Sequence, residues 1–109
     1  MKRYIPVVTR SYSEKINIED IFFIMQRSRK LVISTDNGVY EYNEKIDNVK
    51  DALDKRFCSC LKYFIINFDK VHSMSEQTIF FENGEHFYLG RESYIGTRQK
   101  YSRYIKESK

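Results

Sequence analysis

The apolar positions of this chain fall in short runs separated by polar residues. Runs such as "IFFIM" (21–25) and "YFII" (63–66) are strand-sized. "VYEY" (39–42) alternates in the way of a half-buried strand. "DNG" (36–38) and "NG" (83–84) are hairpin turn signals, because Asn and Gly tolerate positive φ. The pattern therefore predicts a mostly β fold.

The predicted extended segments share apolar and β-branched character and end at polar turns. Pro6 favours an edge position for the first of them, since proline cannot donate to a strand ladder. The segments are 3–8, 21–26, 30–35, 39–42, 57–66 and a hairpin over 78–90. The Glu19-Asp20 pair predicts a turn before the second of them, and "RSRK" (27–30) predicts a tight polar loop after it.

Two segments change to a helical period. In 44–55, Ile46, Val49 and Leu53 fall at i, i+3 and i+7, which predicts a short internal helix. From Arg91 onward, a tyrosine-bearing stripe predicts a C-terminal helix whose other face is basic. Its members are spaced by four, three and four: Tyr94, Arg98, Tyr101 and Ile105.

Composition supports one globular domain over 1–109. Hydrophobic residues are 41% of the 109 residues, charged residues 31%, and the aromatic content of 16% leans toward β structure. No apolar run reaches the about 18 residues of a membrane span, and the N-terminus has no signal peptide. Cys58 and Cys60 are a poor disulfide framework. These features predict a cytoplasmic protein.

Charge is distributed unevenly along the chain. Residues 1–88 hold 13 Lys/Arg and 13 Asp/Glu, whereas residues 89–109 hold six against two, so the net charge of +4 lies in the last fifth. "RSRK" (27–30) is a second, local basic cluster. Such clusters attract phosphates or acidic surfaces, and they also occur simply as solvated faces.

Enzyme motifs are absent from the sequence. There is no glycine-rich phosphate loop, G-x-S-x-G or H-E-x-x-H. Cys58-x-Cys60 with His72 lacks the spacing and the second ligand pair of a zinc site, so buried structural cysteines are the better interpretation. His86 alternates within a strand and is expected to be a cross-strand neighbour. We therefore expect neither catalysis nor a cofactor or metal.

A helical DNA reader is not predicted either. The internal helical segment 44–55 carries acidic side chains that phosphates would repel, at Glu44, Asp47, Asp51 and Asp54. Cations and an amide lie instead where predicted strands end, at Arg27, Arg29, Lys30, Lys62, Asn67 and Arg91. Any DNA contact is therefore expected from loops.

The order of these segments resembles the LytTR DNA-binding domain, the output domain of LytR- and AgrA-type response regulators of two-component systems. The middle motif of that family matches at Phe57, Lys62, Phe64, Ile65, Ile66, Asn67 and Val71. Its second motif, a strand, "NG", a strand and a basic residue, matches 79–91. The resemblance runs from about residue 14 to 98.

The resemblance implies stacked antiparallel sheets of about ten short strands, whose loops enter successive major grooves of double-stranded DNA. By position it assigns base contacts to Arg29, to Asn67 and to Arg91, with Arg27 and Lys30 beside the first. It assigns a phosphate contact to Lys62. It also implies transcription regulation, paired repeats in the DNA and two copies side by side. For Asn67, turn chemistry after a strand is the alternative.

Three residues depart from the family pattern. Ser59, Leu61 and Tyr63 replace the usual Arg, His and Ser of the middle motif. They motivate an alternative function, a protein-interaction module of the same fold with weakened or lost DNA affinity that modulates another regulator. The chain is also too short to include the receiver domain that usually precedes the family domain. We expect either a stand-alone regulator or an excised output domain.

Overall fold

Strands dominate the computed structural model, which describes residues 3–107. The described residues form ten strands and one α-helix, which confirms the mostly β prediction with a C-terminal helix. In chain order they are β1 (Tyr4–Val8), β2 (Ser13–Asn17), β3 (Ile21–Arg27), β4 (Lys30–Thr35), β5 (Gly38–Asn43), β6 (Phe57–Leu61), β7 (Phe64–Asn67), β8 (Val71–Ser75), β9 (Thr78–Phe81), β10 (His86–Tyr88) and α1 (Arg91–Glu107).

A five-stranded antiparallel sheet in the order β5-β4-β3-β7-β6 is the centre of the molecule. Its inner strands are apolar without alternation, since both faces of the sheet are covered. On β4, for example, residues 31–35 are all buried. β6, the strand at the edge opposite β5, contacts α1.

Two further layers cover this sheet, one on each face. The β1–β2 ribbon packs on one face, where Ile5 and Ile16 join a core with Ile24 and Ile33. The β10-β9-β8 sheet and α1 pack on the other face around aromatic side chains. Phe23 contacts Phe87 there, with the two ring centroids 4.9 Å apart. Apolar burial against both faces of one sheet thus holds three layers together.

The turns of the central sheet define two ends of the molecule. We call the end with the β3–β4 turn (28–29) and the β6–β7 turn (62–63) the loop end. The opposite end holds the β4–β5 turn, where Gly38 has a φ of 125°. It also holds the 3₁₀ turn Phe68–Lys70, which follows β7. α1 starts close to the loop end and runs to the opposite end, where the Tyr101 hydroxyl donates to the Val71 carbonyl at 3.0 Å.

The internal α-helix predicted at 44–55 is replaced by two 3₁₀ turns, Ile46–Asn48 and Lys50–Ala52. Ile46 and Val49 are nevertheless buried in the core, as their spacing predicts. The segment is too short and too rich in Asp, Asn and β-branched residues to sustain α-helix by propensity. A three-residue spacing fits a 3₁₀ turn as well as an α-helix.

Strand predictions agree with the structure except where the sequence is polar. The hairpins at 36–38 and 83–84 form, with β3, β4 and β5 at the predicted positions. The predicted extended segment 57–66 is two strands joined by a turn, and β2 and β8 were not predicted. Only Ile16 is fully buried in "SEKIN" (13–17), so the hydrophobic pattern there is too weak to indicate a strand.

The predicted stripe of α1 is confirmed at its tyrosines. Tyr94 and Tyr101 are buried, but the buried line includes Thr97 and leaves Arg98 and Ile105 exposed. The cations Arg98, Lys100, Arg103 and Lys106 are exposed on the rest of the helix.

Candidate nucleic-acid interface

The β3–β4 turn carries the basic cluster found in the sequence. Arg27 and Lys30 pair across the two strands, and Ser28 and Arg29 form the two-residue turn. Ser28 has a φ of 58°, the left-handed conformation that tight hairpin turns use. Residues 27–30 are all exposed, so their three cations face solvent on a short, well-defined hairpin.

The β6–β7 turn places Lys62 beside this hairpin. Leu61 and Phe64 pair at the strand ends, and Lys62 and Tyr63 form the exposed turn between them. The Tyr63 carbonyl accepts a hydrogen bond from the Gln26 N–H at 2.9 Å, which ties this turn to β3. The Lys62 Nζ lies 5.3 Å from the centroid of the Tyr63 ring, a cation–π distance.

Arg91 follows the junction of β10 and α1, which is fixed by one glutamine. The Gln77 amide nitrogen donates to the Leu89 carbonyl and to the Tyr88 hydroxyl, both at 3.0 Å. The Leu89 N–H donates to the Gln77 carbonyl at 2.8 Å, and Leu89 is buried. Arg91, two residues further on, is the exposed first residue of α1.

Two neighbouring grooves connect these three loops. Arg29 and Lys62 line the first groove together with Gln26 and Tyr63. The second groove lies on the other side of the β6–β7 turn, and its walls include Lys62, Tyr63, Tyr88 and Leu89. Arg29 and Lys62 therefore line one groove, and α1 starts two residues after Leu89, which lines the other.

None of the five predicted cations forms an ion pair with a carboxylate among residues 3–107. They are Arg27, Arg29, Lys30, Lys62 and Arg91. Glu44 and Asp47 line the far side of the first groove, but both are engaged within their own loop. Glu44 accepts from the Asn48 side chain at 2.7 Å, and Asp47 pairs with Lys50 at 3.0 Å. The loop-end cations thus remain available to an anionic ligand.

The structure does not support a DNA contact by Asn67. Its side chain is fully buried at the opposite end of β7 from Lys62. The amide nitrogen donates to the Ile21 carbonyl at 2.8 Å, and the amide oxygen accepts from the Asp69 N–H at 2.9 Å. Both polar atoms serve to cap a 3₁₀ turn and to anchor it to β3. The turn interpretation accounts for this residue, and we leave it out of the interface.

No pattern in the sequence selects Gln26 as a functional residue. Its amide nitrogen donates to three carbonyls, those of Ser28, Lys30 and Glu44, at 3.1, 3.1 and 2.9 Å. Its amide oxygen accepts from the Ile46 N–H at 2.6 Å. With its backbone bond to Tyr63, Gln26 joins the basic hairpin, the 44–46 segment and the β6–β7 turn. A long-range network of this kind has no local sequence signal.

The two cysteines are buried in the core, as the sequence predicted, and both are free thiols. Burial raises the pKa of the Cys58 thiol and raises that of Cys60 to about 12, so neither is a thiolate at neutral pH. A reactive or metal-binding cysteine requires the thiolate. No group of His, Cys, Asp and Glu suited to a metal ion occurs among residues 3–107. His86 pairs with Phe80 across the strands, as expected.

The architecture defines a class of protein, a domain of stacked β-sheets that presents cationic turns at one end. The sequence profile of the LytTR family, described as the LytTr DNA-binding domain, matches residues 11–102. The chain therefore belongs to the LytTR family of DNA-binding domains.

A solved structure has the same fold. It is a LytTr DNA-binding domain described as part of a methyl-accepting/DNA response regulator from Bacillus cereus. The two share 14% sequence identity with a TM-score of 0.74, over 92% of this chain and 97% of the other. No curated protein matches the sequence. No helix within residues 3–107 is long and apolar enough to cross a membrane.

Proposed function

We propose that this chain binds double-stranded DNA sequence-specifically through its loop-end turns and acts as a bacterial transcriptional regulator. One observation carries the proposal. Three loops of different parts of the chain bring exposed cations to the same end, and these cations have no carboxylate partners among the residues described. Family membership supports DNA as the ligand.

Arginine side chains on two of the loops are suited to reading bases. Arg29 projects from a two-residue turn and Arg91 from the start of α1. The backbone that carries each arginine is therefore held by regular secondary structure. An arginine in the major groove donates in bidentate fashion to guanine O6 and N7. We assign base contacts to Arg29 and Arg91 and phosphate contacts to their neighbours Arg27, Lys30 and Lys62, which position the domain without specifying sequence.

We assign this function to the loops because their cations converge on one end of the molecule. α1 buries Tyr94 and Tyr101 against the aromatic core and hydrogen-bonds the Val71 carbonyl through Tyr101. Its exposed cations are instead spread along the helix toward the opposite end. The hairpin turns, by contrast, are supported by paired strands and protrude with exposed side chains, an arrangement that suits binding residues.

Selection from random-sequence duplex pools at low salt tests this function. We expect enrichment of a defined motif, with affinity falling steeply as salt rises. Replacing Arg29 or Arg91 by Ala should cost about 1–3 kcal/mol on the selected site and relax the preference at one position. Arg103, which lines a groove with Phe57 and Phe68 at the opposite end, provides the matched control Arg103→Ala.

Two outcomes would contradict the proposal. If Arg29→Ala and Arg91→Ala together bind the selected site as tightly as the original chain, the assignment of base contacts to these loops fails. If no motif is enriched even at low salt, sequence-specific binding itself fails, and the alternative of a protein-interaction module of the same fold is favoured. The number of chains bound per selected duplex tests the expected pairing of two copies on repeats.

A further inference from the structure

We propose that the groove between the β6–β7 turn and the end of β10 contacts thymine methyl groups, so that the domain selects thymine there. This inference rests on the proposed DNA-binding function and adds a base preference to it. The groove is lined on one side by Leu61, Lys62 and Tyr63 and on the other by Phe87, Tyr88 and Leu89. Its walls are thus mainly aliphatic and aromatic.

Large apolar side chains are exposed at this groove. Leu61 is 45% exposed, Tyr63 52% and Tyr88 71%. Single exposed apolar residues are common on protein surfaces, but a contiguous set beside a binding surface marks an interaction site. Leu61 and Tyr63 flank Lys62 at the β6–β7 turn, so this turn adds aliphatic and aromatic contact area beside a cation.

The groove walls are held in place by hydrogen bonds to the residues that line them. Gln77 donates to the Tyr88 hydroxyl, which fixes the far end of that side chain. The Gln26 N–H donates to the Tyr63 carbonyl and fixes the opposite wall. Leu61 pairs with Phe64, whose side chain is buried. A surface that is ordered before binding loses little conformational entropy when a ligand fills it.

Charge around the groove favours DNA as its occupant. Lys62 is part of one wall, and Arg91 follows the other wall by two residues. Neither side chain pairs with a carboxylate among residues 3–107. A matching ligand therefore carries negative charge where it meets Lys62 and Arg91 at the edge of the groove, and an apolar group where it contacts the groove walls. In the major groove of DNA, the C5-methyl of thymine is the apolar group between phosphate backbones.

Uracil substitution isolates the methyl group. In a duplex that carries the selected site, replacing one thymine by uracil removes the methyl and keeps the base pair and the O4 acceptor. We measure Kd by fluorescence anisotropy at one fixed salt concentration, with each thymine replaced in turn. Burying one methyl-sized group predicts that at least one substitution weakens binding by about fourfold.

Variants of the groove link this effect to its residues. Leu61→Ser and Tyr63→Ser should each weaken binding to the thymine site, and at least one of them should make the sensitive position indifferent to uracil. Val39→Ser, at a 67% exposed position near the β4–β5 turn at the opposite end, is the matched control and should keep the uracil effect. Thermal melting confirms that each variant is folded.

The outcomes separate this inference from the proposed function. If the original chain binds its motif specifically but tolerates uracil at every position, the thymine contact is wrong while DNA binding stands. The same holds if Leu61→Ser and Tyr63→Ser both retain full sensitivity, a result that would assign the methyl contact to residues outside this groove. If no motif is enriched at all, it is the DNA-binding function that fails.

Discussion

Asn67 shows how much a single side chain depends on its surroundings. In the sequence it is an amide directly after an apolar strand, and both turn capping and ligand contact suit it. In the structure its two polar atoms bond Ile21 and Asp69, and none of its surface is exposed. Local sequence cannot distinguish these roles, because the partner Ile21 lies 46 residues away.

Replacing Asn67 by Ala tests this structural role. The change leaves the buried Ile21 carbonyl without its donor, and we expect a loss of about 1–3 kcal/mol in the free energy of unfolding. Asn43→Ala, at an exposed position on β5, is the control and should change stability little. Urea denaturation gives both values. If Asn67→Ala is as stable as the original chain but binds the selected DNA poorly, Asn67 belongs to the interface after all.

At the scale of elements, the loop end depends on contacts between loops distant in sequence. The basic hairpin, the 44–46 segment and the β6–β7 turn all bond to Gln26. Strand pairing fixes the base of each turn, and Gln26 fixes the turns relative to one another. Rigid placement of Arg29 next to Lys62 follows from these bonds and not from either turn alone.

Replacing Gln26 by Leu should therefore reduce the ability of the domain to distinguish its selected DNA site from other sequences. Leu has a similar volume but neither donates nor accepts, so the hairpin loses two side-chain hydrogen bonds and the 44–46 segment loses two more. We expect weaker discrimination between the selected site and random duplex, with the salt dependence of binding unchanged because no cation is removed. Binding to both duplexes, measured over a range of salt, checks this. An unchanged discrimination ratio would exclude a positioning role for Gln26.

Secondary-structure predictions were correct where buried apolar residues recur at a regular spacing along the sequence, and they failed where this spacing is weak. "KLVIST" (30–35) and the two glycine-containing hairpins form as predicted, because their patterns satisfy both local turn chemistry and the core. The 44–55 segment has a helical spacing but forms 3₁₀ turns, since only Ile46 and Val49 among its residues become fully buried. β8, "VHSMS", is a strand because β9 pairs with it and not because of its composition.

For the molecule as a whole, the two ends differ in how their charges are arranged. The five loop-end cations have no carboxylate partner among residues 3–107, whereas carboxylates gather around the turns of the opposite end and mix there with cations. These carboxylates are Glu19, Asp20, Asp36, Asp69, Glu82 and Glu85. Lys70 pairs with Asp36 there at 3.0 Å. Cations without carboxylate partners at the loop end attract a polyanion during encounter, whereas the carboxylates around the opposite turns repel it locally.

Salt dependence provides a test at this scale. Lys62→Gln removes a loop-end cation. The slope of log K against log salt should become less steep by about 1, the change expected when one phosphate contact is lost. Lys106→Gln removes an exposed cation from the end of α1, distant from the loops, and should leave that slope unchanged. Equal effects of the two variants would show that the C-terminal cations also contact phosphate.

Alkaline pH should destabilise the whole fold through buried acids. Burial raises the pKa of both Cys60 and Tyr42 to about 12, and the Tyr42 hydroxyl has no hydrogen-bond partner among the described residues. The folded state therefore holds protons that the unfolded chain has already released above about pH 9–10. By linkage, this contribution to stability is complete below that range and is lost as pH rises toward 12.

Tyr42→Phe separates the destabilisation caused by ionisation of the buried Tyr42 hydroxyl from other effects of alkaline pH on the protein. It removes the ionisable hydroxyl and keeps the ring, so we expect unchanged or higher stability at neutral pH and a shallower fall in Tm between about pH 9 and 11. Tyr88→Phe, at a largely exposed position, is the control and should not change the slope. A Tyr42→Phe slope equal to that of the original chain would contradict the linkage.

The sequence by itself determined the mostly β class, the strong strands and hairpins, the C-terminal helix and the family resemblance. These follow from the periodicity of apolar residues, from turn chemistry and from motif order, all of which depend on residues that are close together in the sequence. Only the tertiary structure decided that Asn67 is buried, that Gln26 joins three loops and that Leu61, Tyr63 and Tyr88 share one groove. Those facts depend on contacts between residues tens of positions apart, and such contacts exist only once the layers have packed.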